Sequence, residues 1–455
     1  MRPANLQELT SLLGRFGVEC VEPRGSVGWP KFPGVSVSPQ QPFEADGAGL
    51  SHVLREVSRL DLGDSAGHLR GLVTCGYPVD FRNSDWIEAA LVEGLEGPEV
   101  RVTGVRSCDS PWACPVCAPR LGIRRSEALA KVAGRVLSLG YRVAHAVLTL
   151  RHHRFESLQN TFGLLQEAWR LLRRNRRMWE GVEYARAVEV TVGIHGWHPH
   201  VHLLLVTLRR DPHALEEALW EGWSEAVASL GGEVRREAFH FQVLEGEEDV
   251  VEVSRYVAKS AWGIGHEAAG GALKGGEGAG LAPRELLGVW WGHVLELWAE
   301  GGEGRVLEVY PWLEEGGKLR GVDLLEEPPL ILREFCRRAR TRAEKVGLTP
   351  GEAATRWVEW AEATKGAKAL TLSRALNLLY RQALEEVEGA EESAQALEVV
   401  LLRRSAYLWL LRTGRIGYWV ALATALRSLA LACELLGLVE GVEWDVVPRG
   451  PPVCG

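Results

Sequence analysis

The sequence is poor in methionine, lysine and cysteine, and it lacks both a long apolar run and a net positive charge. Of its 455 residues, 2 are Met, 8 are Lys and 8 are Cys. So sparse a cysteine content excludes a disulfide-stapled scaffold. The most membrane-like stretch, Ile416 to Leu426, holds eleven residues between Arg415 and Arg427, whereas a spanning helix needs about 20. The opening MRPANLQELTSLLGRFG carries no apolar run after basic residues, so no secretory leader is read there. A cytoplasmic protein with no membrane partner is expected. No G-x-x-x-x-G-K-[ST] loop occurs, so no nucleotide-driven motor is expected either. With 52 Lys+Arg against 60 Asp+Glu the net charge is −8, and any nucleic-acid site must be a local basic patch.

The remaining composition is that of a globular protein, with 46% hydrophobic and 25% charged residues. At about 150 residues per domain the length allows two to four domains. Arginines number 44. Arginine forks suit phosphates, but GC-rich coding gives the same bias and is taken as the source of most of them. The charge is uneven. Residues 1–100 carry a balance of −6, residues 118–180 a balance of +9, and residues 296–327 again −6. The basic block contains RLLRRNRR, with Arg170, Arg173, Arg174, Arg176 and Arg177. It reads either as a solvated helix face or as a patch that tracks DNA phosphates.

Residues 1–70, punctuated by Pro and Gly, read as an irregular N-terminal region. Helices are predicted over Pro119–Leu139, Phe155–Met178, Pro212–Leu230 and Glu248–Ala261. Strands are predicted over Ala144–Leu150, Ala185–Ile194, His200–Leu208 and Phe239–Leu244, with HGWHP as a five-residue hairpin loop. This order is α+β with a central antiparallel sheet. Gly-rich His266–Gly280 reads as a linker. Beyond Pro328, Ala, Leu, Glu and Arg dominate, which predicts a separate all-α C-terminal domain over 326–455.

HPHVH, His198 to His202, is the strongest site signal. Side chains two apart on a strand share a face, so His200 and His202 project together. Burying two imidazoles in an apolar strand is costly unless something binds them, and imidazole is the commonest side-chain metal ligand. His198 is an alternative ligand, set lower because Pro199 is expected to break the strand. Glu189 is the expected third ligand, although a turn centred near Trp197 leaves it out of level with the histidines unless a bulge or longer loop intervenes. An edge-strand charge facing water is the other reading of Glu189. A mixed nitrogen and oxygen set with open positions suits Mn²⁺ or Mg²⁺, with a phosphate as remaining ligand.

In EVSRYVAK, Glu252, Tyr256 and Lys259 fall on one helix face. Such a face is ordinarily an amphipathic surface. Beside a metal-bound phosphate, Tyr256 becomes a candidate nucleophile and Glu252 a general base. In CDSPWACPVC, Cys108, Cys114 and Cys117 form a C-x5-C-x2-C array. With Cys75 of TCGYP they make a candidate structural zinc knuckle over 75–117, and a redox pair or free thiols are the alternatives. Cys20, Cys336, Cys433 and Cys454 stand alone and are expected to be inert.

Taken in order, TCG, CDSPWACPVCAPR, AVLTL, GWHPHVHLLL and EVSRYVAK resemble plasmid rolling-circle replication initiators of the HUH endonuclease superfamily, in the single-tyrosine branch with a Cys knuckle. The likeness covers roughly residues 70–265 and extends toward Trp312–Gly321. It implies a ferredoxin-like antiparallel sheet in a nuclease domain over 71–325, with the His pair on a central strand. It also implies that Tyr256 attacks a DNA phosphodiester held on the metal, leaving a 5′-phosphotyrosine and a 3′-OH primer. Glu252 matches the residue that activates water for the terminating cleavage, Lys259 the lysine that positions metal or phosphate, and Thr149 a structural strand position. No second Tyr follows within a helical turn, which excludes a two-tyrosine mechanism. The partners implied are single-stranded or hairpin origin DNA, a host helicase and the replication machinery, with homo-oligomerisation left open. The competing readings are a transposase or relaxase of the same chemistry, and a non-catalytic zinc-knuckle DNA-binding regulator.

Overall fold

The β-branched and apolar alternation of residues 182–207 forms a long antiparallel hairpin, around which the other elements gather. A computed structural model describes residues 69–79, 85–94, 97–207, 211–244, 280–313, 330–392, 395–413 and 415–447, with isolated positions outside these spans. All of the expected helix over Glu248–Ala261 except Glu248, Asp249 and Val253, all of the Gly-rich His266–Gly280 except its last residue, and most of the first 70 residues lie outside the described residues.

Glu19–Cys20 (β1) pairs with Pro30–Lys31 (β2). Arg70–Thr74 (α1), Trp86–Gly94 (β3) and Gly97–Val102 (β4) precede the helix Cys117–Ser138 (α2). Arg142–Thr149 (β5), Leu158–Leu172 (α3), Val182–Gly193 (β6), Gly196–Thr207 (β7), Pro212–Ala228 (α4) and His240–Leu244 (β8) follow. Next come Pro283–Val309 (α5), Leu330–Lys345 (α6), Pro350–Ala363 (α7), Leu370–Leu372 (β9) and Arg374–Glu392 (α8). The last elements are Ala396–Arg403 (β10), Arg404–Arg412 (α9), Ile416–Leu426 (α10), Leu429–Leu435 (α11) and Trp444–Val446 (β11).

The expected antiparallel sheet is present, with five strands in the order β8-β5-β7-β6-β9. Its two faces follow from the period-two side-chain rule. Val143, Ala185, Ala187, Leu204 and Val206 point to one face, where they pack against Leu129 and Val132 of α2 and Leu376 and Tyr380 of α8. Val188, Val190, Val201, Leu203 and Leu205 point to the other, against Phe162, Leu165 and Trp169 of α3 and Leu215, Leu219 and Trp223 of α4. Each fully buried side chain of this size contributes about 1.5–3 kcal/mol.

The hairpin departs from the expected five-residue loop. Gly193 pairs with Gly196, so the turn is Ile194–His195 alone, and Trp197, His198 and Pro199 belong to β7. Gly196 has φ 88°, the left-handed residue that closes a short turn. Pro199 does not break the strand, for a reason the ladder supplies. Val188 and Val192 turn their amides away from β7, to the carbonyls of Ala369 and Leu281. Val190 has the same parity, so it faces Pro199 without a main-chain hydrogen bond. The missing N–H therefore falls on the β5 side, where β5 has already ended at the Thr149–His200 pair.

Residues beyond 328 are neither all helical nor set apart. β9 pairs with the edge of β6, and α8 packs on α2 in the same apolar cluster as the sheet. Trp357 and Trp360 of α7 join the core under α3. β10 enters a second sheet, in the order β11-β10-β3-β4, which α9, α10 and α11 cover. Within β10, Val399–Leu402 is apolar throughout and only four residues long, so periodicity could not separate a strand from a buried helix there. A chain stopped after Ala369 should therefore lose cooperative unfolding, because the sheet face under α8 and the partner of β3 are both exposed. A thermal melt of that fragment matching the full chain in sharpness would show instead that residues 1–369 fold independently.

Candidate functional site

The two-residue turn sets Glu189 directly opposite His200, and Ala187 opposite His202. No bulge is needed, because the turn centre lies before Gly196 and not at Trp197. All three candidate ligands thus lie on the sheet face that α2 and α8 cover. Glu189 Oε2 accepts from His200 Nε2 at 2.7 Å and from His202 Nε2 at 3.0 Å. The three residues are 3%, 8% and 2% exposed respectively, so their charge is withdrawn from water.

These distances suit a divalent cation. Donors about 2.1 Å from a metal and at right angles to one another stand about 3.0 Å apart, close to the spacing found here. Burial pushes the Glu189 carboxyl up, but the two histidines beside it outweigh that and hold it well below the ordinary carboxylate range. Burial likewise lowers His200, and the Glu189 carboxylate outweighs it, leaving His200 above the usual 6.5.

His145, which the sequence reading overlooked, stands behind His202. Its Nε2 lies 3.2 Å from His202 Nδ1, with the rings stacked 5.5 Å apart and 4° from parallel. A ligating imidazole needs its second nitrogen fixed in just this manner. The parity of β5 was the available signal, since Thr149 pairs with His200 and His145 lies four residues earlier on the same face. His198 is directed elsewhere. Its Nδ1 lies 2.7 Å from His152 Nε2, and the Glu189 group does not include it.

The four cysteines of the expected knuckle also meet. Their sulfurs lie within 4.8 Å of one another. Cys75 Sγ is 3.6 Å from Cys114 Sγ and 3.5 Å from Cys117 Sγ, far beyond the roughly 2.05 Å of a disulfide. A tetrahedral zinc with Zn–S of about 2.3 Å sets sulfurs about 3.8 Å apart, so the donor set fits that ion. Hydrogen bonds from Cys108 and Cys114 hold the Cys117 thiol far below the ordinary range, whereas burial pushes Cys114 up. Cys336 and Cys433 are buried singly, away from this cluster. The side chains of Cys20 and Cys454 lie outside the described residues.

The basic run is not brought to the histidines. α3 ends at Leu172, earlier than expected, so Arg173, Arg174, Arg176 and Arg177 follow the helix rather than line one of its faces. Arg170 pairs with Glu167, and Arg173 lies 5.7 Å over the Tyr184 ring. α3 packs on the sheet face opposite the Glu189 group. Glu252, Tyr256 and Lys259 lie outside the described residues. Between the first two, Val253 is described, and it is buried in the cluster of α2, α8 and the His-bearing face.

Residues 99–210 match the family model described as Replication protein. That span contains Glu189, His200, His202 and three of the four clustered cysteines. Protein rep of Streptomyces lividans is 27% identical over 246 residues, covering 41% of this chain and 54% of the relative. The chain thus spans about half the length of the curated relative it matches. Both comparisons bear out the resemblance to replication proteins read from the motifs. No solved structure matches the chain. Among the described residues no helix is long and apolar enough to cross a membrane.

Two outcomes follow from this geometry. Elemental analysis of the purified chain should find one zinc, and Cys114→Ala should lose it together with stability on the order of several kcal/mol. In EDTA, the Glu189–His200 pair should stabilise the fold most between about pH 4.5 and 6.5, the ordinary values of its two groups. The contribution of Glu189, whose folded value is depressed, is present above 4.5 and lost as pH falls further. That of His200, whose folded value is raised, is full below 6.5 and lost as pH climbs from there through the raised value. Melts of the native chain and of His200→Gln across this range would expose the difference.

Proposed function

We propose that this chain initiates rolling-circle replication of a plasmid by nicking one DNA strand at the origin through Tyr256. The observation that carries the reading is the level placement of Glu189, His200 and His202, a cation-fitting group inside the span that matches replication proteins. The burial of Val253 against that same sheet face supports the assignment of the segment that follows it. On this reading the fold is a ferredoxin-like HUH nuclease domain, with the four cysteines holding a structural zinc.

A bound Mn²⁺ or Mg²⁺ supplies Lewis-acid polarisation of the phosphodiester. Glu189, His200 and His202 hold that ion, and His145 keeps the His202 ring in place. The Tyr256 hydroxyl oxygen forms a bond to phosphorus as the bond from phosphorus to the 3′ oxygen breaks. The Tyr256 proton leaves to a base, and the departing 3′ oxygen gains one, giving a 5′-phosphotyrosine and a free 3′-OH. Glu252 activates water at termination, and Lys259 steadies the phosphate. Origin DNA is the substrate, unwinding comes from a host helicase, and the basic run Arg170–Arg177 contacts DNA phosphates.

The decisive experiment combines the protein, Mn²⁺ and a single-stranded origin oligonucleotide, and resolves covalent adducts by denaturing electrophoresis. The native chain should form an adduct, and Tyr256→Phe should form none. His200→Ala with His202→Ala should abolish nicking while DNA binding persists. An adduct on Tyr256→Phe would overturn the assignment of the nucleophile. Intact origin function in the double histidine variant would favour a non-catalytic regulator.

A further inference from the structure

Phe155 is 95% exposed, the one aromatic ring among the exposed large hydrophobic side chains of the described residues. Leaving such a ring in water calls for a reason. It stands at the tip of the connection between β5 and α3, and that tip is held. His153 N donates to Glu156 Oε2 at 3.0 Å, and Glu156 N donates to His153 O at 3.0 Å. On one side of the ring, Arg154 Nη2 donates to Gly347 O at 2.8 Å, and Arg356 Nη2 donates to Arg154 O at 3.4 Å. The backbone thus fixes Phe155 outward.

The same tip rests on the end of the β6–β7 hairpin, just past the histidines. His152 bonds His198 through Nε2 and the His195 carbonyl through Nδ1. A Cβ on Gly196 would lie 2.8 Å from the Arg154 carbonyl oxygen, so the two segments are in direct contact. Gly196 is four residues from His200 on β7, about 13 Å along the strand. At its turn the hairpin presents Ile194, which is 53% exposed, and exposed His195. The cations of this tip are Arg151, Arg154 and Arg356, and the acids facing them are each engaged: Glu233 pairs with Arg151, Glu156 accepts from His153 N, and Glu352 lies in the field of Arg154 and Arg356 while accepting from Thr349.

We infer that Phe155 is a nucleobase platform, on which an unpaired base of the strand held at the Glu189 group stacks. An exposed ring on a loop that carries arginines and abuts the His-bearing hairpin is the chemistry that recognises single-stranded nucleic acid. A duplex hides its base faces and gains nothing from such a ring. This inference rests on the proposed nicking function and names where its single strand lies.

The test uses the full chain in EDTA at one fixed salt concentration, so that binding is read without cleavage. Fluorescence anisotropy compares a labelled single-stranded oligonucleotide of mixed sequence with the same sequence as duplex. Phe155→Ala should weaken single-strand binding by roughly tenfold and leave duplex binding unchanged. Phe155→Trp should restore it, and Phe155→Leu should not. Equal binding by native chain and Phe155→Ala would overturn the platform while the nicking reading stands. Rescue by Leu as good as by Trp would also overturn it, pointing to apolar docking of a protein. Failure of the native chain to bind single strands would remove the nicking reading itself.

Discussion

The register of the β6–β7 hairpin is the constraint on which the site depends. Ile194 and His195 alone turn the chain, and that short turn sets Glu189 level with His200. A slip of one residue would send every β6 side chain to the opposite face. Glu189 would then enter the apolar layer under α3, while Val188 and Val190 would face the histidines. Gly196 secures the register, since its positive φ and its contact with the Arg154 backbone leave no room for a side chain.

The remaining architecture keeps that register buried. A carboxylate and two imidazoles inside a protein are tolerated only when they satisfy one another or share an ion. α2 and α8 cover the face that carries them, and β9 pairs with the outer edge of β6. The clustered cysteines act at the other end of α2. Cys117 opens that helix, and Cys75, from the end of α1, meets it there. The knuckle therefore ties the N-terminal elements to the helix that roofs the His-bearing face. The segments most distant in sequence, before residue 100 and after residue 395, meet in one sheet through β3 and β10.

Much of this was legible in the residues themselves. The alternation of β6 and β7, the apolar run of β5 and the helical pattern of α2 and α4 are local signals, and the elements formed where they pointed. The failures have physical causes. HGWHP looked like a loop because proline usually ends a strand, yet here its missing N–H faces the flank that β5 has vacated. His145 passed unnoticed because a single histidine in an apolar strand means little until its partner across the ladder is known. The C-terminal third looked purely helical because short apolar runs such as Val399–Leu402 carry no period of their own.

The sequence by itself determined the donor types and their parity. His200 and His202 had to share a face, and Cys114 and Cys117 had to sit close, because both are consequences of spacing within a few residues. Only the tertiary structure decided what joined them. Glu189 became level with His200 through a turn whose length depends on the Gly196–Arg154 contact, Cys75 reached its partners from a separate helix, and Phe155 was held outward by hydrogen bonds to residues beyond 345. Spacing acts through the geometry of one element, whereas register and assembly depend on neighbours that the local sequence does not contain.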